Sequence, residues 1–113
     1  MGSWILKEIK MSLIEEIKSI NKESHEKWFE RWYEKYDLVN EIKKSAMKGY
    51  VGYMIPVSEV EDKYTRIRRG SPKTIKLLKN KLGDGFEVYL EEKKGKNIFG
   101  FDTYKSYIQI YWK

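Results

Sequence analysis

Apolar residues recur at helical spacing over the first half of the chain: Leu13 or Ile14, Ile17, Ile20, then Trp28, Trp32, Val39, Ile42 and Ala46. Phe29, Tyr33 and Tyr36 widen the stripe to the face that a core-packed helix presents. Ser12-Leu13-Ile14-Glu15 opens it as a capping box, with Ser12 as the N-cap and Glu15 reaching back from the third helical position. The polar residues Asn21 to Ser24 interrupt the stripe and are the expected place for the helix to break in two. Gly49 supplies the stop, and Lys43, Lys44 and Lys48 complement the negative end of the helix dipole.

Beyond Gly49 the period changes. Tyr50 to Ile55 concentrates strand formers and ends at Pro56, which predicts a first strand. Residues 57–70 predict a long connection, of a length that is often functional or mobile. Ser71-Pro72 is a helix start, Ser as N-cap and Pro in the first turn; Ile75, Leu78 and Leu82 then share one face, and Gly83 closes the helix. Phe86, Val88 and Leu90 alternate with Glu87, Tyr89 and Glu91, and Ile108, Ile110 and Trp112 alternate with Tyr107, Gln109 and Tyr111. These are two strands of a hairpin whose connection contains Gly95-Lys96-Asn97 and Gly100, with Phe99 to Tyr104 fitting either a strand extension or a loop. The expected fold is α+β: a long N-terminal helix, then β-α-β-β, with the helix on one face of a three-stranded, mostly antiparallel sheet. A chain of 113 residues predicts one domain. Residues 1–10, which precede a second possible start at Met11, read as an appended or start-site extension.

Charge adds what periodicity does not. Lys63, Arg66, Arg68, Arg69, Lys73, Lys76, Lys79 and Lys81 fall in one window that holds no Asp or Glu, in a chain of net charge +6. The rest of the chain is therefore acidic on balance, and the basic character belongs to one segment, as on a surface that meets an anion. The chain has no Cys, which removes disulfides and thiolate metal sites and fits a cytoplasmic setting. No apolar run approaches the ~20 residues of a membrane span, and aromatic residues at 15% are ample for a core.

The landmarks Ile42-Lys43-Lys44-Ser45-Ala46-Met47-Lys48-Gly49, the strand to Ile55-Pro56, the Ser71–Leu82 helix, Gly85-Phe86-Glu87-Val88 and the closing Ile108-Gln109-Ile110-Tyr111-Trp112 span residues 40–113. Together they resemble small uncharacterised proteins of tailed bacteriophages, in which a helix stop, strand and helix precede a Gly-Phe-x-Val strand and an Ile-x-Trp end. The Lys-, Glu-, Ile- and Tyr-rich composition suits such a low-GC genome. The resemblance implies action in the infected cell, in the host cytoplasm, or in the virion, and no common activity.

Three groups of side chains are candidates for binding. Arg66, Arg68 and Arg69 precede a helix whose first turn carries Ser71, and Lys73, Lys76 and Lys79 continue the charge down its exposed face. Guanidinium forks, lysine point charges and free helix N–H groups all favour phosphate, which points to nucleic acid, DNA or RNA. Lys93, Lys94 and Lys96 place a second basic cluster near the hairpin turn. Tyr89, Tyr107 and Tyr111 share the strand face opposite Val88 and Ile110, where rings can stack on bases. Trp28, Phe29 and Trp32 exceed what one narrow stripe needs, so any ring left exposed marks a surface for a host protein or a second copy.

Chemistry of other kinds finds little support. His25 is the only histidine and sits in the polar Lys22–Lys27 stretch, where an exposed ring is expected. With one His and no Cys, neither a transition-metal site nor a Ser-His-Asp arrangement is expected, and no cofactor loop is present. Asp84 with Glu91-Glu92-Lys93 has the residue order of a metal-dependent nuclease, but that chemistry needs the carboxylates on two adjacent strands. The sequence reads as a non-catalytic accessory protein that binds nucleic acid through residues 63–81. The alternative is a protein-binding module or inhibitor acting through its aromatic N-terminal helix.

Overall fold

A computed structural model describes residues 12–112; the extension expected over residues 1–10 lies outside them. The first helix, α1 (Leu13–Tyr36), is capped as its sequence dictates, the Ser12 hydroxyl accepting from the Glu15 N–H at 3.2 Å. It runs unbroken through Asn21–Ser24, contrary to expectation. That stretch contains no Gly or Pro, its polar side chains face solvent, and a Glu23–Lys27 ion pair at 3.1 Å bridges its end.

The break comes instead at Asp37, whose φ of 58° and ψ of 47° are left-handed. Among residues with a side chain, Asp and Asn adopt this conformation at lowest cost. The Asp37 carboxylate accepts from the Asn40 amide at 2.7 Å, and its carbonyl starts α2 (Leu38–Met47) by accepting from the Glu41 N–H. The kink shifts the helical phase. Leu38 and Ile42 are buried, whereas Val39 and Ala46, expected to face inward, are exposed.

The sheet has strand order β1-β3-β2 and is antiparallel throughout: β1 (Gly52–Pro56), β2 (Phe86–Lys96) and β3 (Asp102–Trp112). β3 is central, with Ile55 opposite Ile108 on one side and Leu90 opposite Ile108 on the other. Gly52 lies under the Tyr111 ring, where a Cβ would stand 3.0 Å from that ring and 3.1 Å from the Ile110 carbonyl oxygen. No larger residue fits there without a shift.

Residues 57–70, expected to be a connection, contain a further helix, α3 (Lys63–Arg69). Asp62 caps it, accepting from the Thr65 N–H at 2.9 Å and the Thr65 hydroxyl at 2.6 Å. Because α3 buries no residue, it leaves no apolar period to read. Gly70 and Ser71 join it to α4 (Pro72–Leu82), which packs on β2.

One face of the sheet carries the core. Phe29 and the stacked pair Trp28 and Trp32 from α1, Leu38 and Ile42 from α2 and Leu78 from α4 meet Ile55, Val88, Ile108 and Ile110. Truncating a fully buried aliphatic side chain such as Leu78 costs about 2–5 kcal/mol. Only the second half of α1 takes part, since residues 12–24 are all exposed.

Candidate nucleic-acid interface

The window of eight cations folds as α3, a two-residue joint and α4, and the structure divides its side chains into two kinds. Arg66 and Arg69 are engaged in the fold. Arg66 donates to the Val60 carbonyl at 3.0 Å and lies 3.5 Å from that of Glu61, bracing the approach to α3. Arg69 donates to the Pro56 carbonyl at 2.9 Å and lies over the rings of Trp32 and Tyr36, at 5.5 and 5.3 Å. It ties the end of β1 to the aromatic layer of α1, and burial lowers its pKa from the ordinary arginine value. Ser71 is likewise committed, its hydroxyl accepting from the Lys73 N–H at 3.2 Å as the cap of α4.

The other side chains face outward. Lys73, Lys76 and Lys79 are exposed at three-residue spacing on α4, and therefore on one helix face. Lys63 is exposed at the start of α3, and the half-buried Arg68 holds its guanidinium over the Tyr64 ring, 3.7 Å from the centroid. Among the described residues none of these five makes an ion pair. Of the acidic residues before the window, Glu59 pairs with Lys105 at 3.8 Å, Asp62 caps α3 and Glu61 is exposed. Among the described residues Lys81 is the one cation of the window in an ion pair, with Glu30 at 3.1 Å.

Two grooves border this face. One, of about 400 Å³, lies between α4 and the edge strand β2; Lys76 and Lys79 line it together with Ile75, Tyr89 and Leu90, and no carboxylate does. The other, of about 300 Å³, separates α1 from α4 and is lined by Lys22, His25, Glu26, Lys73 and Lys76.

His25 corrects the expectation of an exposed ring, being only 7% exposed. Its Nε2 lies 2.9 Å from the Thr74 hydroxyl oxygen. The Thr74 hydroxyl donates its one proton to the Arg68 carbonyl, so the imidazole must donate from Nε2. Burial lowers the His25 pKa first, and the Lys73 and Arg68 cations lower it further against the opposing pull of Glu26. This chain joins α1, the end of α3 and the first turn of α4 through one buried threonine. Sequence reasoning missed Thr74 and Tyr64. Thr74 stands at the third position after the Ser71 cap, and Tyr64 four residues before Arg68, so both spacings were available as signals.

The three tyrosines lie on the sheet face opposite the core. Tyr89 and Tyr111 adjoin, with centroids 6.0 Å apart, while Tyr107 stands apart beneath the Lys93 ammonium at 5.6 Å. Glu87 and Glu91 pair with Tyr111 and Tyr107 across the same strands, so this face mixes rings with both signs of charge. Tyr89 alone meets the basic groove. Trp28, Phe29 and Trp32 are buried in the core; Phe29 is fully enclosed, and Trp28 and Trp32 keep only a narrow edge in a groove of about 540 Å³ shared with Tyr36 and Arg69.

Among the described residues no three His, Cys, Asp or Glu side chains are grouped to hold a metal ion, and no helix is long and apolar enough to cross a membrane. Comparison of the chain with protein-family models, curated proteins and solved structures finds no match.

Proposed function

We propose that this protein binds nucleic acid through the exposed face of α4 and the adjoining end of α3, contacting backbone phosphates with little reading of sequence. The observation that carries the reading is the set of five cations, Lys63, Arg68, Lys73, Lys76 and Lys79, left without carboxylate partners among the described residues. Lysine and arginine on a convex helical surface position a polyanion without specifying its bases. Arg68, seated over the Tyr64 ring, carries a planar fork suited to phosphate oxygens. Arg66, Arg69 and Ser71 shape the surface from beneath. In this reading the protein is a non-catalytic accessory factor, and the resemblance of its landmarks to phage proteins supports action in the infected cell.

The test is a titration of labelled duplex and single-stranded oligonucleotides with Lys73→Glu/Lys76→Glu and with a control, Lys27→Glu/Lys44→Glu, of equal charge change. The control lysines are already paired with Glu23 and Glu41. Loss of binding in the first variant and its retention in the second is the expected result. Equal loss in both would reduce the interaction to net charge.

A second reading has an observation of its own. Leu13, Ile14, Ile17 and Ile20 are exposed on the first turns of α1, and such a stripe suits a second helix. In this reading the partner is another protein, engaged by the aliphatic start of α1 and not by its buried aromatic half.

A further inference from the structure

The β2–β3 hairpin outgrows its sheet. β1 accompanies β3 only as far as the Pro56–Tyr107 pair, while β2 and β3 remain paired out to Lys96 and Asp102. Every residue from Glu92 to Lys105 is exposed, so the outer hairpin is a free two-stranded arm. At its end the chain turns tightly around Asn97. The Asn97 side-chain oxygen accepts from the Phe99 and Phe101 N–H groups at 2.9 and 3.1 Å. Its backbone N–H donates to the Phe101 carbonyl at 2.9 Å, and its carbonyl accepts from the Gly100 N–H at 3.0 Å. Gly100, at a φ of 82°, supplies the left-handed residue that the turn requires.

This ordered turn holds three large apolar side chains in water: Ile98, Phe99 and Phe101 are 93%, 76% and 69% exposed. Single exposed apolar residues are ordinary, but three on one turn at the end of an arm form a patch with a use. Behind them Lys93, Lys94, Lys96 and Lys105 outnumber the arm's two carboxylates, Glu92 and Asp102; Lys96 pairs with Asp102 and Lys105 with Glu59, each at 3.8 Å, and Lys93 and Lys94 make no ion pair among the described residues. The tip is thus apolar and its stem basic, which complements a polyanion with an apolar interior.

We propose that the hairpin arm is a wedge for duplex nucleic acid: its lysines follow the phosphates while Phe99, Phe101 and Ile98 insert between base steps and bend the duplex. The inference rests on the nucleic-acid reading above. Apolar side chains inserted in this way partly unstack one step and kink the helix. A bilayer is the other polyanionic surface with an apolar interior, and the arm's length argues against it. Leu90, beside the α4 lysines, and Lys96, at the tip, are separated by roughly 20 Å at 3.4 Å per residue. With the tip in lipid, the α4 lysines would stand about two Debye lengths from the headgroups and contribute nothing. A duplex lying along the arm reaches both.

The experiment uses the whole chain and a duplex carrying donor and acceptor fluorophores at its ends, with Phe99→Ser/Phe101→Ser beside the wild type. Both side chains are exposed, so the variant keeps the wild-type circular dichroism and melting temperature. Wild-type binding should shorten the end-to-end distance by an amount that corresponds to a bend of roughly 20–90°. The variant should keep the salt dependence of binding, bind about tenfold more weakly and leave the duplex straight. Salt-dependent binding without bending, or equal bending by the variant, overturns the wedge and leaves the phosphate-binding face standing. Absence of duplex binding at low salt overturns both. Capture on phosphatidylserine-containing vesicles that is lost in the variant, with no bending of duplex, also overturns the wedge and makes the tip a lipid anchor.

Discussion

His25 shows how far one side chain departs from its sequence neighbourhood. The surrounding Lys22, Glu23, Glu26 and Lys27 are polar, yet the ring is buried on Thr74 because α4 covers that side of α1. Its pKa in the folded protein lies below the ordinary 6.5, so between the two values the unfolded chain binds the proton that the folded chain refuses. Stability should therefore be unaffected by this group above pH 6.5 and should fall as the pH drops below it. Melting temperatures from about pH 7.5 to pH 5 should decline in the wild type and stay flatter in His25→Gln, which keeps a donor for Thr74. The Asp62 carboxyl, lowered by its bonds to Thr65, acts in a more acidic window, below its ordinary 3.8, and does not confuse the comparison. Gly52 offers a second test at this scale. Gly52→Ala forces a methyl group against Tyr111 and the Ile110 carbonyl and should cost about 1–3 kcal/mol in denaturant unfolding.

The elements were legible wherever a face is buried and obscure wherever none is. The Ser71-Pro72 start of α4, the alternation in β2 and β3 and the stop at Gly49 all follow from local chemistry, and the structure has each of them. The unbroken α1, the kink at Asp37 and the helix α3 were not legible. A polar interruption ends a helix only if the backbone has somewhere better to go, and Asn21–Ser24 is solvated as a helix. Asp37 adopts its left-handed conformation because Leu38 and Ile42 gain burial by it, a tertiary cause. The helical spacing shared by both sides of Asn21–Ser24 also concealed two halves of α1, one in the core and one in water. Ile17→Lys/Ile20→Lys should change stability by no more than about 0.5 kcal/mol per residue, whereas Trp28→Ala should cost about 3–5 kcal/mol. A loss in the first variant as large as in the second would mean that another surface covers the start of α1.

For the whole molecule the localisation of charge was the most durable sequence feature, although its division of labour was not. The sequence places eight cations in one window but cannot tell a structural arginine from a free lysine. Arg66 and Arg69 are spent on carbonyls and rings, and five cations are left without carboxylate partners among the described residues. That number sets an expectation for the salt dependence of binding. The most direct measurement is the affinity for duplex DNA as a function of salt concentration, with Lys73→Glu/Lys76→Glu/Lys79→Glu beside the wild type. Release of counterions from about five phosphates on this face predicts a log–log slope of about −4.5, steeper where the arm lysines add contacts, and loss of binding in the variant. Affinity that does not change with salt, or that survives the charge reversal, would contradict the account.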